Sequence, residues 1–282
     1  MRPIKEMTSQ LKTRLTLKRV VIAYPSGNTT AVVFTMPQGI NRSILNHQIM
    51  ETWRRKYPSW PQIEQCCFVT EPQDPKAIAR VEMFGGEFCG NAARSVVWLI
   101  TGGKDRSGVI EVSGANRLIN FSVKENEVTI EMSLPVDREL VTPINGGVLV
   151  QLDGISQIVV ATRKGDQTAR QLLGKLLNGN KYGLAGQSAV GVSYYDQISG
   201  KAEFCVWVNE VDTIFDETAC GSGTSAIGIA LATENGVSLS LPIVQPSGAL
   251  IVTNATYTDG KVSKSTIAGA VEILYDGEFT LS

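Results

Sequence analysis

Two short stretches of this chain repeat one pattern, and any fold it adopts has to accommodate both. The first is Gly86-Glu87-Phe88-Cys89-Gly90-Asn91-Ala92-Ala93-Arg94-Ser95 and the second is Glu217-Thr218-Ala219-Cys220-Gly221-Ser222-Gly223-Thr224-Ser225-Ala226. Each sets a cysteine before small, Gly-containing residues and then runs into an apolar helical segment, residues 96–100 in the first and 227–232 in the second. A cysteine at a helix start meets free backbone N–H groups and the positive end of the helix dipole. That setting favours thiolate over thiol.

The elements around the two turns follow the same order. In the first half, apolar strands at 19–23 and 31–34 flank the turn Tyr24-Pro25-Ser26-Gly27-Asn28. An amphipathic helix is predicted over 42–56, then strands over 65–70 and 77–84, then the first cysteine helix, ending at Gly102-Gly103. A strand at 109–112 leads into a hairpin of period two, with Ile119, Phe121 and Val123 facing Val128, Ile130 and Met132. The second half repeats this with a turn and strand at 154–160, a helix at 170–177, strands at 190–195 and 202–208, the second cysteine helix, and a strand at 237–241. A Ser-Gly-Ala step follows in both, at Ser113-Gly114-Ala115 and Ser247-Gly248-Ala249. Repetition of order around a repeated turn argues for internal duplication.

Two like domains about a pseudo-twofold axis bring equivalent features face to face across a cleft, a preferred place for ligands. Here those features are two cysteines at helix starts. Thiols on opposite sides of one carbon suit proton removal from one face and proton return to the other. The N–H groups of Gly90-Asn91 and Gly221-Ser222 would hold a carboxylate and the charge that flows toward it.

Other residue classes narrow the chemistry. The single histidine, His47, lies on the predicted 42–56 helix without a ligand-spaced Cys or acidic partner, so it reads as a surface or half-buried helix residue. No Gly-x-Ser-x-Gly elbow, nucleotide loop, metal site or pyridoxal phosphate lysine site is apparent, and no cofactor is expected. A net charge of −1 gives no sign of nucleic acid or an anionic membrane. Five cysteines, with no disulfide-scaffold spacing, suit a reducing cytoplasm. Cys66, Cys67 and Cys205 read as buried and inert. Residues 1–17 are polar and basic and read as a loosely ordered extension. Arg94 and Glu217 read as helix-end and cleft-wall charges, and Trp60 as part of a structural Pro-rich turn.

Taken together, the paired turns resemble the signatures of the diaminopimelate epimerase family, cofactor-independent amino acid racemases and epimerases, and the likeness covers nearly the whole chain after residue 18. The resemblance implies an α+β fold of two pseudo-symmetric domains, each a β-sheet wrapped around a central helix, with the active site between them. It implies an N-terminal domain of residues 18–138 plus 264–282 and a C-terminal domain of residues 139–263. It also implies catalytic roles for Cys89 and Cys220, a homodimer, and a small amino acid as partner. By position, Asn28 and Gln65 look like substrate contacts, and Gly90, Asn91, Gly221 and Ser222 like the carboxylate cradle. Glu210 looks like the residue that holds the α-amino group, although it also reads as a solvated strand-end charge.

Departures from the family's pattern bear on substrate. Val211 follows Glu210 where the family has an arginine, Ala189 stands where an asparagine is expected, and Gln157 replaces a histidine. A pocket without that cation loses its charge-assisted bonds to a distal carboxylate. The pattern is closer to the histidine racemases of the superfamily, which makes histidine the first candidate substrate. The alternatives are diaminopimelate epimerase, a same-fold isomerase such as those of phenazine pathways, and a catalytically silent amino acid binding protein. The phenazine type carries acids where this chain has Cys89 and Cys220.

Overall fold

The computed structural model describes residues 15–37, 39–161 and 167–281. In chain order the elements begin β1 (Thr16–Tyr24), β2 (Thr30–Val33), α1 (Arg42–Lys56), β3 (Gln65–Thr70), β4 (Arg80–Met83) and α2 (Gly90–Thr101). Next come β5 (Arg106–Val112), β6 (Ile119–Lys124), β7 (Glu127–Glu131), β8 (Val141–Ile144), β9 (Gly147–Leu152) and β10 (Ile155–Val160). The remainder is α3 (Ala169–Asn178), β11 (Ala189–Asp196), β12 (Lys201–Val208), β13 (Thr213–Glu217), α4 (Gly221–Asn235), β14 (Leu239–Val244), β15 (Leu250–Thr258), β16 (Lys261–Ala270) and β17 (Glu272–Thr280). This is a mixed α/β fold, a large sheet system with few helices.

Strand senses repeat along the chain. From β1 to β7 the successive pairings are antiparallel, parallel, antiparallel, parallel, antiparallel and antiparallel. The run β9, β10, β11, β12, β14, β15, β16 has the same six senses in the same order. A parallel neighbour needs a crossover, usually a helix. The helices fall at those places: α1 between β2 and β3, α2 between β4 and β5, α3 between β10 and β11, and α4 between β12 and β14. β7 pairs with β16 and joins the two runs. β17 returns to pair with β1, and β8 lies against β9.

The helices are of two kinds. α1 buries Leu45, Ile49, Thr52 and Trp53, one stripe at helical spacing, and leaves His47 exposed. α3 packs likewise on its own small core through Leu173 and Leu176. α2 and α4 instead lie inside the main core, which contains Val96, Val97, Ile227 and Ile229. Such valines and isoleucines contribute roughly 1.5–3 kcal/mol each on burial. α4 is buried from Gly221 through Ala230 without a polar face.

Some sequence expectations change. Residues 1–14 of the expected extension lie outside the described residues, and Thr16 and Leu17 already belong to β1, with Leu17 2% exposed. Of the strand expected over 77–84 only Arg80–Met83 pairs as β4, because Ala77 closes a turn onto Asp74. β13 was not foreseen; it folds back antiparallel on β12 through Asp212, whose φ is 44°. Residue 264 falls inside β16, and β17 pairs with β1. No helix among the described residues is long and apolar enough to cross a membrane.

Candidate active site

Cys89 and Cys220 are the N-caps of α2 and α4, in nearly the same backbone conformation (φ −131°, ψ 110° and φ −125°, ψ 109°). Cys89 Sγ accepts the Ala92 N–H at 3.4 Å, and Cys220 Sγ accepts the Gly223 N–H at 3.3 Å. Both helices end on a glycine in the left-handed region, Gly102 and Gly236. The Ser-Gly-Ala steps brace the two turns alike. Ser113 Oγ donates to the Glu87 carbonyl, two residues before Cys89, and the Ser247 N–H donates to the Thr218 carbonyl, two residues before Cys220.

The two helix starts meet over one side chain of β16. A Cβ on Gly90 or on Gly221 would sit 2.7 Å from Ile267 Cδ1, so a side chain at either position would have to displace the tip of Ile267. Asn91 Nδ2 donates to the Ala219 carbonyl at 3.1 Å and ties one turn to the other. Together they leave a pocket lined by both cysteines, Asn28, Gln65, Gly90, Asn91, Gly221 and Ser222. Of the residues expected at the site, Glu210 is the exception: it is exposed on the single turn Asn209–Val211 and does not line the pocket. The chain reverses at Asp212, leaving the exposed Glu210 near enough for its charge to raise Glu87, while the far end of β13 brings Glu217 to the pocket wall.

Each thiol has a glutamine beside it. Gln65 Nε2 lies 3.2 Å from Cys89 Sγ, bonds Thr30 Oγ1 at 3.0 Å and donates to Asn28 Oδ1. Asn28 is buried at φ 47° and its N–H donates to Thr218 Oγ1 at 2.7 Å, across to the second turn. Gln157 Nε2 donates to Ser222 Oγ at 2.9 Å and approaches Cys220 Sγ at 3.9 Å. Its space exists because β11 has a glycine opposite: a Cβ on Gly191 would lie 2.2 Å from Gln157 Oε1. Ala189 also lines the pocket, while the side chain of Val211 lies outside the described residues.

The electrostatics differ from the sequence expectation. Burial pushes the Cys89 thiol up to about 11 and the Cys220 thiol well above its ordinary value, and the helix N–H bonds oppose this without overcoming it. Both cysteines therefore rest as thiols. Glu217 stands beside Cys220, and burial raises its carboxyl to about 8. Burial raises Glu87 to about 7 and also lifts Glu64, which Thr218 and Asn28 bond. Arg94, expected at a helix end or cleft wall, is instead fully buried and donates to the Pro25 carbonyl and Asn91 Oδ1, both at 2.9 Å. Burial lowers it to about 10, so it stays a cation at neutral pH. Cys66, Cys67 and Cys205 are buried, with thiols pushed up by burial. Trp60 packs edge-on against Trp53, away from the pocket lining.

Sequence reasoning passed over Glu64 and Glu87 as functional groups and left Gln157 as a mere departure. The signal was local: Glu64 adjoins Gln65, and Glu87 and Glu217 each precede a cysteine by two or three residues.

The family model described as the histidine racemase CntK N-terminal domain matches residues 20–279. The chain belongs to that family. With it, the chain stands among isomerases. A histidine racemase of Fusobacterium nucleatum subsp. nucleatum is 28% identical over 204 residues, 65% of this chain and 74% of that protein. One from Staphylococcus aureus is 23% identical over 242 residues, 82% of this chain and 86% of that protein. Among solved structures, a hydroxyproline epimerase from Agrobacterium vitis with bound trans-4-hydroxy-L-proline superposes with a TM-score of 0.61 at 16% identity, covering 95% of this chain and 94% of that one. A PhzF-family phenazine biosynthesis protein from Enterococcus faecalis gives 0.56 at 14% identity, covering 94% and 99%. These structures share the fold.

Proposed function

We propose that this protein is a cofactor-independent amino acid racemase that moves a proton at Cα between Cys89 and Cys220, with histidine as substrate. The observation that carries the reading is that both cysteines cap helices in one conformation and open on one pocket. The substrate carboxylate takes the N–H groups at Gly90-Asn91 and Gly221-Ser222, where negative charge also gathers as the α-proton leaves. Asn28 and Gln65 hold the substrate on the Cys89 side. The α-ammonium goes to Glu217, which lines the pocket, in place of Glu210, which does not. A cation there favours the thiolate of the neighbouring Cys220 and offsets the burial that holds it neutral.

The reading includes two domains of one topology, residues 18–138 plus 264–282, and residues 139–263. Matching ladder senses, the β7–β16 junction and the β17–β1 pairing support it. Histidine is supported by the family match and by the names of the relatives. The test is incubation with L-histidine in buffered water, followed by chiral chromatography. Approach to an equal mixture of enantiomers supports the reading, and unchanged L-histidine overturns it.

A further inference from the structure

The pocket holds more carboxyl groups than a simple amino acid can engage. Its lining includes Glu64, Glu87, Asp216 and Glu217, and Arg170 supplies a cation. Arg170 is already committed, with Nε donating to Asp216 Oδ2 at 3.0 Å and Nη2 to the Ile214 carbonyl. Glu64 is met by Thr218 and Asn28, and Glu217 lies beside Cys220. Glu87 stands apart. Its carboxyl is met by the N–H groups of Gly85 and its own residue, and its Oε2 is shielded from solvent without a hydrogen-bond partner. A zwitterion brings one ammonium, which one carboxylate uses, and one carboxylate, which the helix starts take. Glu87 remains over.

Its position is built rather than incidental. Ser113 holds the Glu87 carbonyl, and Gly114 sits so close that a Cβ there would lie 2.4 Å from the Phe88 nitrogen. The same pocket is lined by the apolar side chains of Ile155, Ala189, Val206 and Val208. An unpartnered buried acceptor in a pocket with apolar lining fits a flat ring with an N–H on one edge.

Resting on the proposed racemase reading, we infer that Glu87 is the residue that selects the substrate side chain, accepting a hydrogen bond from a ring N–H such as that of imidazole. Phe88 and the apolar lining take the ring faces, and acidic side chains are rejected by Glu87 together with Glu210 at the rim. Burial raises Glu87 to about 7, close to the roughly 6.5 of free imidazole. The bond therefore survives whichever partner holds the proton. Sites built to bond a donor discriminate strongly against analogues that lack it, because the buried acceptor is then left bare.

The experiment compares L-histidine with L-3-(2-thienyl)alanine, a ring of similar shape without the N–H, on the intact protein and on Glu87→Gln. α-Proton exchange in deuterated water gives kcat and KM, and calorimetry gives binding without turnover. The intact protein should prefer L-histidine by roughly 100-fold or more in kcat/KM. Glu87→Gln should raise KM for L-histidine more than it lowers kcat and should narrow the preference. Equal handling of both amino acids by the intact protein overturns the inference while leaving the racemase reading standing. So does a Glu87→Gln protein with an unchanged KM for L-histidine. Tight binding of L-histidine over the thienyl analogue with no exchange would instead uphold the selectivity and remove the racemase.

Discussion

At the scale of single residues, burial governs the site. Cys89 and Cys220 receive helix N–H bonds yet lie above the ordinary thiol range, because a buried charge costs more than one such bond returns. The sequence made the helix start visible but not the depth of burial, which depends on chain segments distant in sequence. Replacing either thiol by a hydroxyl leaves the shape and removes an acid–base group, so Cys89→Ser and Cys220→Ser should each lower racemisation by about 1000-fold or more, measured by chiral chromatography. The raised carboxyls also make stability fall with pH. Glu217 moves from 4.5 to about 8 on folding, so between those values the folded chain holds a proton that the unfolded chain has released. Its contribution is fully present below pH 4.5 and lost as pH rises through about 8, and Glu87 acts in the same sense up to about 7. Melting temperature should therefore drop from mildly acid to mildly alkaline pH. Glu217→Gln should flatten that drop by roughly 2–4 °C in thermal denaturation. An equal slope in the variant would show that Glu217 ionises normally.

At the scale of elements, α2 and α4 are matched in start, end and burial, and this much was legible. A cysteine turn before an apolar run marked the start of both helices, and Gly102-Gly103 marked the end of α2. What sequence could not show is the shared neighbour. Ile267, on a strand late in the chain, fills the space that a side chain on Gly90 or Gly221 would need. Gly90→Ala and Gly221→Ala should each destabilise by about 1–3 kcal/mol, measured by denaturant unfolding, and lower activity by shifting a helix start. Ile267→Ala in the same chain should relieve part of the clash. Additive losses in that double variant would contradict the shared contact. β13 shows the opposite case: five residues read as spacing form a strand whose far end brings Glu217 to the pocket, whereas the expectation for Glu210 rested on family resemblance.

At the scale of the molecule, the duplicated order of elements was legible because each half repeats strand, crossover and turn signals in sequence. The return of β17 to β1 was not written locally; it followed only from family resemblance. That return closes a small core in which Phe279, 2% exposed, packs with Trp53 and Leu17. Phe279→Ala should cost about 3–5 kcal/mol in unfolding experiments while leaving KM unchanged, since Phe279 does not touch the pocket. In the proposed reaction the two halves matter together because each would supply one thiol to one carbon. The most direct measurement is the position of label when L-histidine reacts in deuterated water, followed by mass spectrometry of the separated enantiomers at early times. Two thiols predict D-histidine carrying solvent deuterium at Cα while the remaining L-histidine stays unlabelled. Deuterium appearing equally in both enantiomers from the start would mean that one group serves both faces, and would contradict the account.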